Sequence, residues 1–181
     1  MNLGAIKSKK YKIITEFDKF LDDLATSTYR LSEKHVGALI LLEKRDSLEE
    51  FAKKAVMLEA IFSSELMESI FMTTTPLHDG AIIIRDTTIV SAATILPLAE
   101  DSYQLSKSMG TRHRAGLGLS QLTDAVVIVV SEETGKVSIA RDGIMTRGIK
   151  VDRFKGIIRS IFNPPKVAPQ TRFNPLKWLA K

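Results

Sequence analysis

Apolar positions along the chain follow two rhythms. Ile14, Phe17, Leu21, Leu24 and Leu31 recur at steps of three and four, with Thr28 interrupting the stripe. That spacing predicts an amphipathic helix over residues 13–34, either packed on its own domain or serving as a linker or coiled coil. A run of apolar residues over 36–42, bounded by charge, reads as a buried strand. Ser47 with Glu50 three residues on makes a capping box and predicts a helix from there to residue 55. A second helix is predicted over 65–72. Thr73-Thr74-Thr75-Pro76 stops it, because the residue before proline avoids the α region.

The rhythm then shortens. Residues 81–85 and 88–96 read as a hairpin about Asp86-Thr87. Residues 110–123 read as a loop entering a helix. A β-branched strand over 125–131, a turn over 132–135, a returning strand over 136–141 and a turn at Asp142-Gly143 follow. A last helix over 151–162 is stopped by Asn163-Pro164-Pro165. Helices and strands alternate, and several strands are apolar throughout. The pattern implies an α/β domain whose sheet is covered on both faces.

Length and charge divide the 181 residues into four parts. Residues 1–12, with four lysines and no acid, read as a mobile basic terminus. Residues 13–35 form the linker helix and 36–162 the domain. Residues 163–181 form a basic, proline-punctuated tail in which only Trp178 and its neighbours could dock. Ten of the 26 Lys/Arg lie after residue 140, against two of the 21 Asp/Glu, so the net charge of +5 comes from the C-terminal part of the chain and the rest is slightly acidic. A duplex-binding domain would more often carry its charge on a folded face, so no nucleic-acid partner is expected. No apolar run approaches the roughly 18 residues of a membrane span, and no signal-peptide core follows the early lysines.

Cysteine is absent, which excludes a disulfide scaffold, a thiol nucleophile and a thiolate metal site. The three histidines are His35, His78 and His113, with no HExxH spacing. No Walker loop occurs, and Gly110, Gly116 and Gly118 do not make a dinucleotide fingerprint.

Three stretches carry candidate chemistry. In Leu77-His78-Asp79-Gly80-Ala81 a carboxylate precedes two small residues at the start of an apolar strand. Small residues let a ligand approach the backbone, and the carboxylate can hold a divalent metal or accept a proton. A plain Asp-Gly turn is the alternative. In Gly110-Thr111-Arg112-His113-Arg114-Ala115-Gly116 a helix opens with basic residues, where the helix dipole disfavours them unless an anion is present. Free amides, dipole and arginine forks together suit a phosphate. The alternative is a solvated basic turn. In Ser131-Glu132-Glu133-Thr134-Gly135 two carboxylates follow a buried strand and could meet a metal or a base, or form a solvated turn.

Asp79-Gly80-Ala81 followed about thirty residues later by Arg112-His113-Arg114 resembles the DGA and RHR motifs of the diadenylate cyclase domain family. Val36-Gly37-Ala38-Leu39-Ile40, Ser63-Ser64-Glu65-Leu66, Leu96-Pro97-Leu98 and Ser131-Glu132-Glu133-Thr134-Gly135 resemble the same family and stand in its order. The likeness covers about residues 36–149 and is most like the membrane-type members. It implies a mixed β-sheet flanked by α-helices. It implies condensation of two ATP into cyclic di-AMP with release of two pyrophosphates. Two subunits would meet face to face, each 3′-hydroxyl attacking the other ATP's α-phosphate.

By the same resemblance Asp79 orients or deprotonates the 3′-hydroxyl and binds Mg²⁺ or Mn²⁺, with His78 and Glu133 as further ligands. Gly80 and Ala81 give the ribose room, and Leu96 packs on the adenine. Thr111, Arg112 and Arg114 clamp phosphates, with His113 and Ser131 beside them. Ile95 departs from the aromatic common in membrane-type relatives, and Gly116 stands where a second alanine is usual. The resemblance places the domain in the cytoplasm, free or tethered through an upstream membrane segment that these residues do not include. Lys7–Lys12 would suit an anionic lipid surface beside such a tether. A fold that binds ATP or a cyclic dinucleotide without turnover is the second functional class, and a nucleic-acid binder acting through the tail a third.

Overall fold

The computed structural model describes residues 3–98 and 109–163, with side chains from residue 16 onward. The long helix α1 spans Leu3–Glu33 and begins ten residues before the predicted start. β1 (Ala38–Leu42), α2 (Glu49–Ala52), β2 (Val56–Ile61) and α3 (Ser64–Phe71) follow. Next come β3 (Ala81–Arg85), β4 (Thr88–Thr94) and α4 (Thr111–Leu122). β5 (Val126–Val130), β6 (Val137–Arg141), β7 (Ile144–Arg147) and α5 (Val151–Phe162) complete the described order. The tail beyond Asn163, with Trp178, lies outside the described residues.

The strands form one sheet in the order β2-β4-β3-β1-β5-β6-β7. β1 runs parallel to β3, and the other pairings are antiparallel. Alternation along β1 explains the two cores. Ala38, Ile40 and Leu42 join Phe20 and Leu24 of α1, Ile70 of α3 and Phe154 of α5. Leu39 and Leu41 join Ala52 of α2, Ala115 and Leu119 of α4 and Val127 of β5. Each buried Leu, Ile, Val or Phe among them contributes about 1.5–3 kcal/mol by leaving water. The sheet is therefore mixed and covered on both faces, as the apolar strands implied.

Helix α1 is packed on its own domain. Leu21 and Leu24 are fully buried, and Thr28, which interrupts the stripe, is buried with them. The Tyr29 hydroxyl donates to the Ile149 carbonyl at 2.6 Å, and its ring meets Phe154 edge-on at 5.6 Å. Burial, with the Asp152 charge adding to it, pushes the Tyr29 phenol up to about 12.

The capping box at Ser47 does not form. Leu48 is the cap residue, fully buried, and its amide donates to the Glu43 carboxylate at 2.8 Å. Ser47 Oγ only accepts from the Glu49 amide at 3.3 Å. The helix ends at Ala52, short of residue 55, because the chain turns into β2. β2 and β7 were not predicted. Both are edge strands with largely exposed side chains, so neither shows a clear alternation. Glu59, with φ of +48°, also lies within a register shift of β2. Ser63 caps α3 through the Leu66 amide at 3.2 Å, and the helix starts one residue ahead of the prediction, at Ser64. Among the described residues no helix is long and apolar enough to cross a membrane.

Candidate active site

Strand register gathers the three chemical stretches at one end of the sheet. β1 and β3 are parallel with Ile40 opposite Ile82, so Gly37-Ala38 and Gly80-Ala81 start at about the same level. The antiparallel pairing of Ala38 with Val130 brings the end of β5, and thus Ser131, to that level. Ala81 opposite Thr94 brings the end of β4 there as well.

Gly80 has a backbone reason to be glycine. Its φ is +116°, and a Cβ would stand 2.8 Å from the Ala93 and Thr94 backbone. Ala93 itself has φ of +51° at the irregular register of β3 and β4. The Cβ direction of Gly80 is thus filled by β4, not left open as expected. Ala81 is fully buried in the core under α4. Leu96 belongs to that same core and is 8% exposed, whereas Ile95 beside it is 74% exposed.

Asp79, immediately before this constrained pair, is exposed and has no hydrogen-bond or ion-pair partner among the described residues. His78 is half-buried and oriented. Its Nδ1 lies 2.6 Å from the Thr75 carbonyl, which can only accept, so Nδ1 carries the proton. In the neutral ring that orientation leaves the Nε2 lone pair for a metal. Thr75 is itself tied by its hydroxyl to the Ile70 carbonyl at 2.9 Å.

Helix α4 starts at Thr111 after Gly110, which makes no side-chain cap, and its first turn holds no acid. Its amides and dipole are therefore left for an anion. Arg112 Nη1 meets Glu132 Oε2 at 2.8 Å, and Arg114 is half-buried on the same turn. A cleft of about 460 Å³ runs from Thr111, Arg112 and His113 to Ser131, Glu133 and Arg147, a size that suits a nucleotide. Burial, with the Arg147 and Arg112 charges, holds the His113 imidazole below its ordinary value despite Glu133 nearby.

The Ser131 turn is anchored from α1. Ser131 Oγ accepts from the Thr134 amide at 3.2 Å, and Gly135 accepts from the Ser32 hydroxyl. Among the described residues no three acidic or imidazole side chains come together as a metal cluster. His78, Asp79 and Glu133 therefore do not form the expected ligand set within one chain. Sequence reasoning offered Glu132 with Glu133 for a metal or a base but not as the partner of Arg112, and it gave Arg147 and Gly37 no role in the site. A lone glycine inside the apolar run 36–42 was the available signal for Gly37.

A mixed sheet with an exposed carboxylate and an uncapped basic helix start at one end defines an α/β nucleotide-binding domain. Residues 25–145 match the DAC family, described as DisA bacterial checkpoint controller nucleotide-binding, and the chain belongs to that family. It is 49% identical over 132 residues to the cyclic di-AMP synthase CdaS of Bacillus subtilis, covering 73% of this chain and 63% of that protein. It is 39% identical over 147 residues to a diadenylate cyclase of Listeria monocytogenes, covering 81% of this chain and 54% of the relative. The chain thus spans between half and two thirds of the length of these relatives. The crystal structure of DacA from Staphylococcus aureus superposes with a TM-score of 0.78 at 37% identity, covering 81% of this chain and 97% of DacA.

Proposed function

We propose that this domain is a diadenylate cyclase, condensing two ATP into cyclic di-AMP and two pyrophosphates. The observation that carries the reading is the convergence of Asp79, the α4 start and the Ser131 turn at one sheet end, in a chain whose relatives are named for this reaction.

Each subunit holds one ATP, its phosphates on the α4 amides, Thr111 and the Arg112 and Arg114 forks. Two subunits meet face to face. Each 3′-oxygen forms a bond to the other nucleotide's α-phosphorus, the bond from that phosphorus to the bridging oxygen breaks, and pyrophosphate leaves. Asp79 orients the 3′-hydroxyl and takes its proton, which its exposure and unused oxygens suit. Arginines stabilise charge growing on the phosphates. His113 and Ser131 complete the cleft, and Ala81 and Gly80 fix the loop that carries Asp79.

Asp79 and the Nε2 of His78 would suit a divalent cation such as Mg²⁺ or Mn²⁺, with nucleotide phosphate oxygens as the further donors. Such a cation neutralises phosphate charge and makes the hydroxyl more acidic. The reaction needs cytoplasmic ATP, and the basic start of α1 suits a tether at the inner membrane surface.

The test is an incubation of the chain with ATP and Mg²⁺ or Mn²⁺ beside Asp79→Asn. Cyclic di-AMP from the first and none from the second, with ATP still bound by both, is the expected result. Equal turnover by Asp79→Asn would overturn the role of Asp79. ATP binding without product at any protein concentration would favour the silent sensor.

A further inference from the structure

Gly37 is buried at the mouth of the site, yet nothing in its own backbone requires glycine. Its φ is not positive, unlike Gly80, Gly135, Gly143 and Gly148. The reason lies across the site. A Cβ at Gly37 would stand 2.5 Å from Arg112 Nη1, 2.7 Å from its Cζ and 3.0 Å from Glu132 Oε2. The guanidinium thus lies against the bare backbone where β1 begins. The same Nη1 donates to Glu132 Oε2 at 2.8 Å, so both partners of the ion pair pack against Gly37.

We infer that Gly37 and Glu132 are positioning residues that set the Arg112 fork for the phosphate of the bound nucleotide. This rests on the cyclase reading of the same site. Three features support a positioning role over a merely structural one. The atoms a side chain at 37 would strike are the far ends of flexible side chains, so the fold can yield and the arginine cannot keep its place. The pair is a weak contributor to stability, because the Glu132 side chain is 62% exposed and surface pairs give little. Glu132 holds Nη1, which leaves the other edge of the guanidinium for an anion. A fork held in one orientation loses less freedom on forming its phosphate bonds.

The probe is 3′-deoxyATP with Mg²⁺, which carries the triphosphate and lacks the attacking hydroxyl. Gly37→Ala should keep the thermal midpoint of the parent and weaken binding of this probe by about tenfold, the scale of one charge-assisted contact. Arg112→Ala should weaken it at least as much, and the double variant should be no weaker than Arg112→Ala alone. Glu132→Gln should lower kcat with no rise in KM for ATP, since removing a negative charge does not repel a phosphate. Parent-like binding by Gly37→Ala, or an equal further loss when it is added to Arg112→Ala, would overturn the inference while leaving the cyclase reading standing. A parent chain that fails to bind the probe would overturn both.

Discussion

The two ends of the same sheet use charge in opposite ways. At the end away from the site, carboxylates are saturated. Glu43 receives Arg85 through two nitrogens and the Leu48 amide at 2.8 Å. Asp124 receives the Asp46 amide at 2.9 Å and Arg45 Nε at 2.9 Å, and Asp46 in turn accepts the Asp124 amide. At the site end Asp79 has no partner among the described residues, and Glu132 meets Arg112 through one oxygen. Saturated charges hold strands and loops together. Charges left with open valences are available to a ligand. The sequence makes the two ends look alike, since Glu43-Lys44-Arg45-Asp46 is as charged as any site motif.

The contrast breaks most sharply if the ends can be exchanged in effect. Arg112→Ala should reduce kcat/KM by about 100-fold, roughly 2.7 kcal/mol at the transition state, with the thermal midpoint unchanged. Steady-state kinetics and a melting curve on one preparation check both halves. Glu43→Ala should do the reverse, lowering stability by about 2 kcal/mol in urea while leaving turnover per folded chain intact, because Arg85 and the Leu48 amide lose their acceptor. A large loss of turnover in folded Glu43→Ala would dissolve the distinction. Asp124→Ala should follow at about 1 kcal/mol, since its arginine partner is 84% exposed and the amide bonds matter more.

The smallest effects are in pH. Burial raises Glu43 and Asp124, but their arginine and amide partners outweigh it and hold both below ordinary values of 4.5 and 3.8. Their stabilisation is complete above those values and is lost as pH falls through the lower folded ones. His113 sits at the site end, with its pKa lowered from 6.5. The unfolded chain binds the proton first, so stability declines as pH drops below 6.5 towards the folded value. Urea melts at successive pH values should show a shallow decline starting near 6.5 and a steeper one below 4.5. His113→Gln should remove the first and keep the second.

Most of the scaffold is legible in sequence because burial writes itself as period. α5 begins and ends at the predicted residues, and the all-apolar runs become the central strands β1, β3 and β5. The edge strands β2 and β7 were not legible, since one side of each ladder is solvent and their side chains need not alternate. Residue type alone singled out the three chemical stretches. It did not show that Glu132 engages Arg112, or that Gly37 makes room for that fork. Both depend on the pairing of Ala38 with Val130, a contact between distant parts of the chain. Leu96 shows the opposite limit, because an apolar side chain beside a site and one beneath it look alike until the sheet is folded.

The central claim is that two copies of this chain join two ATP molecules. Its most direct test is the product and the rate per chain as the chain concentration is raised in ATP and Mg²⁺ or Mn²⁺. The account predicts cyclic di-AMP by mass, two pyrophosphates for each, and a rate per chain that climbs from near zero in dilute monomer to a plateau. Product formed at a constant rate per chain under conditions where sedimentation shows only monomer would contradict it.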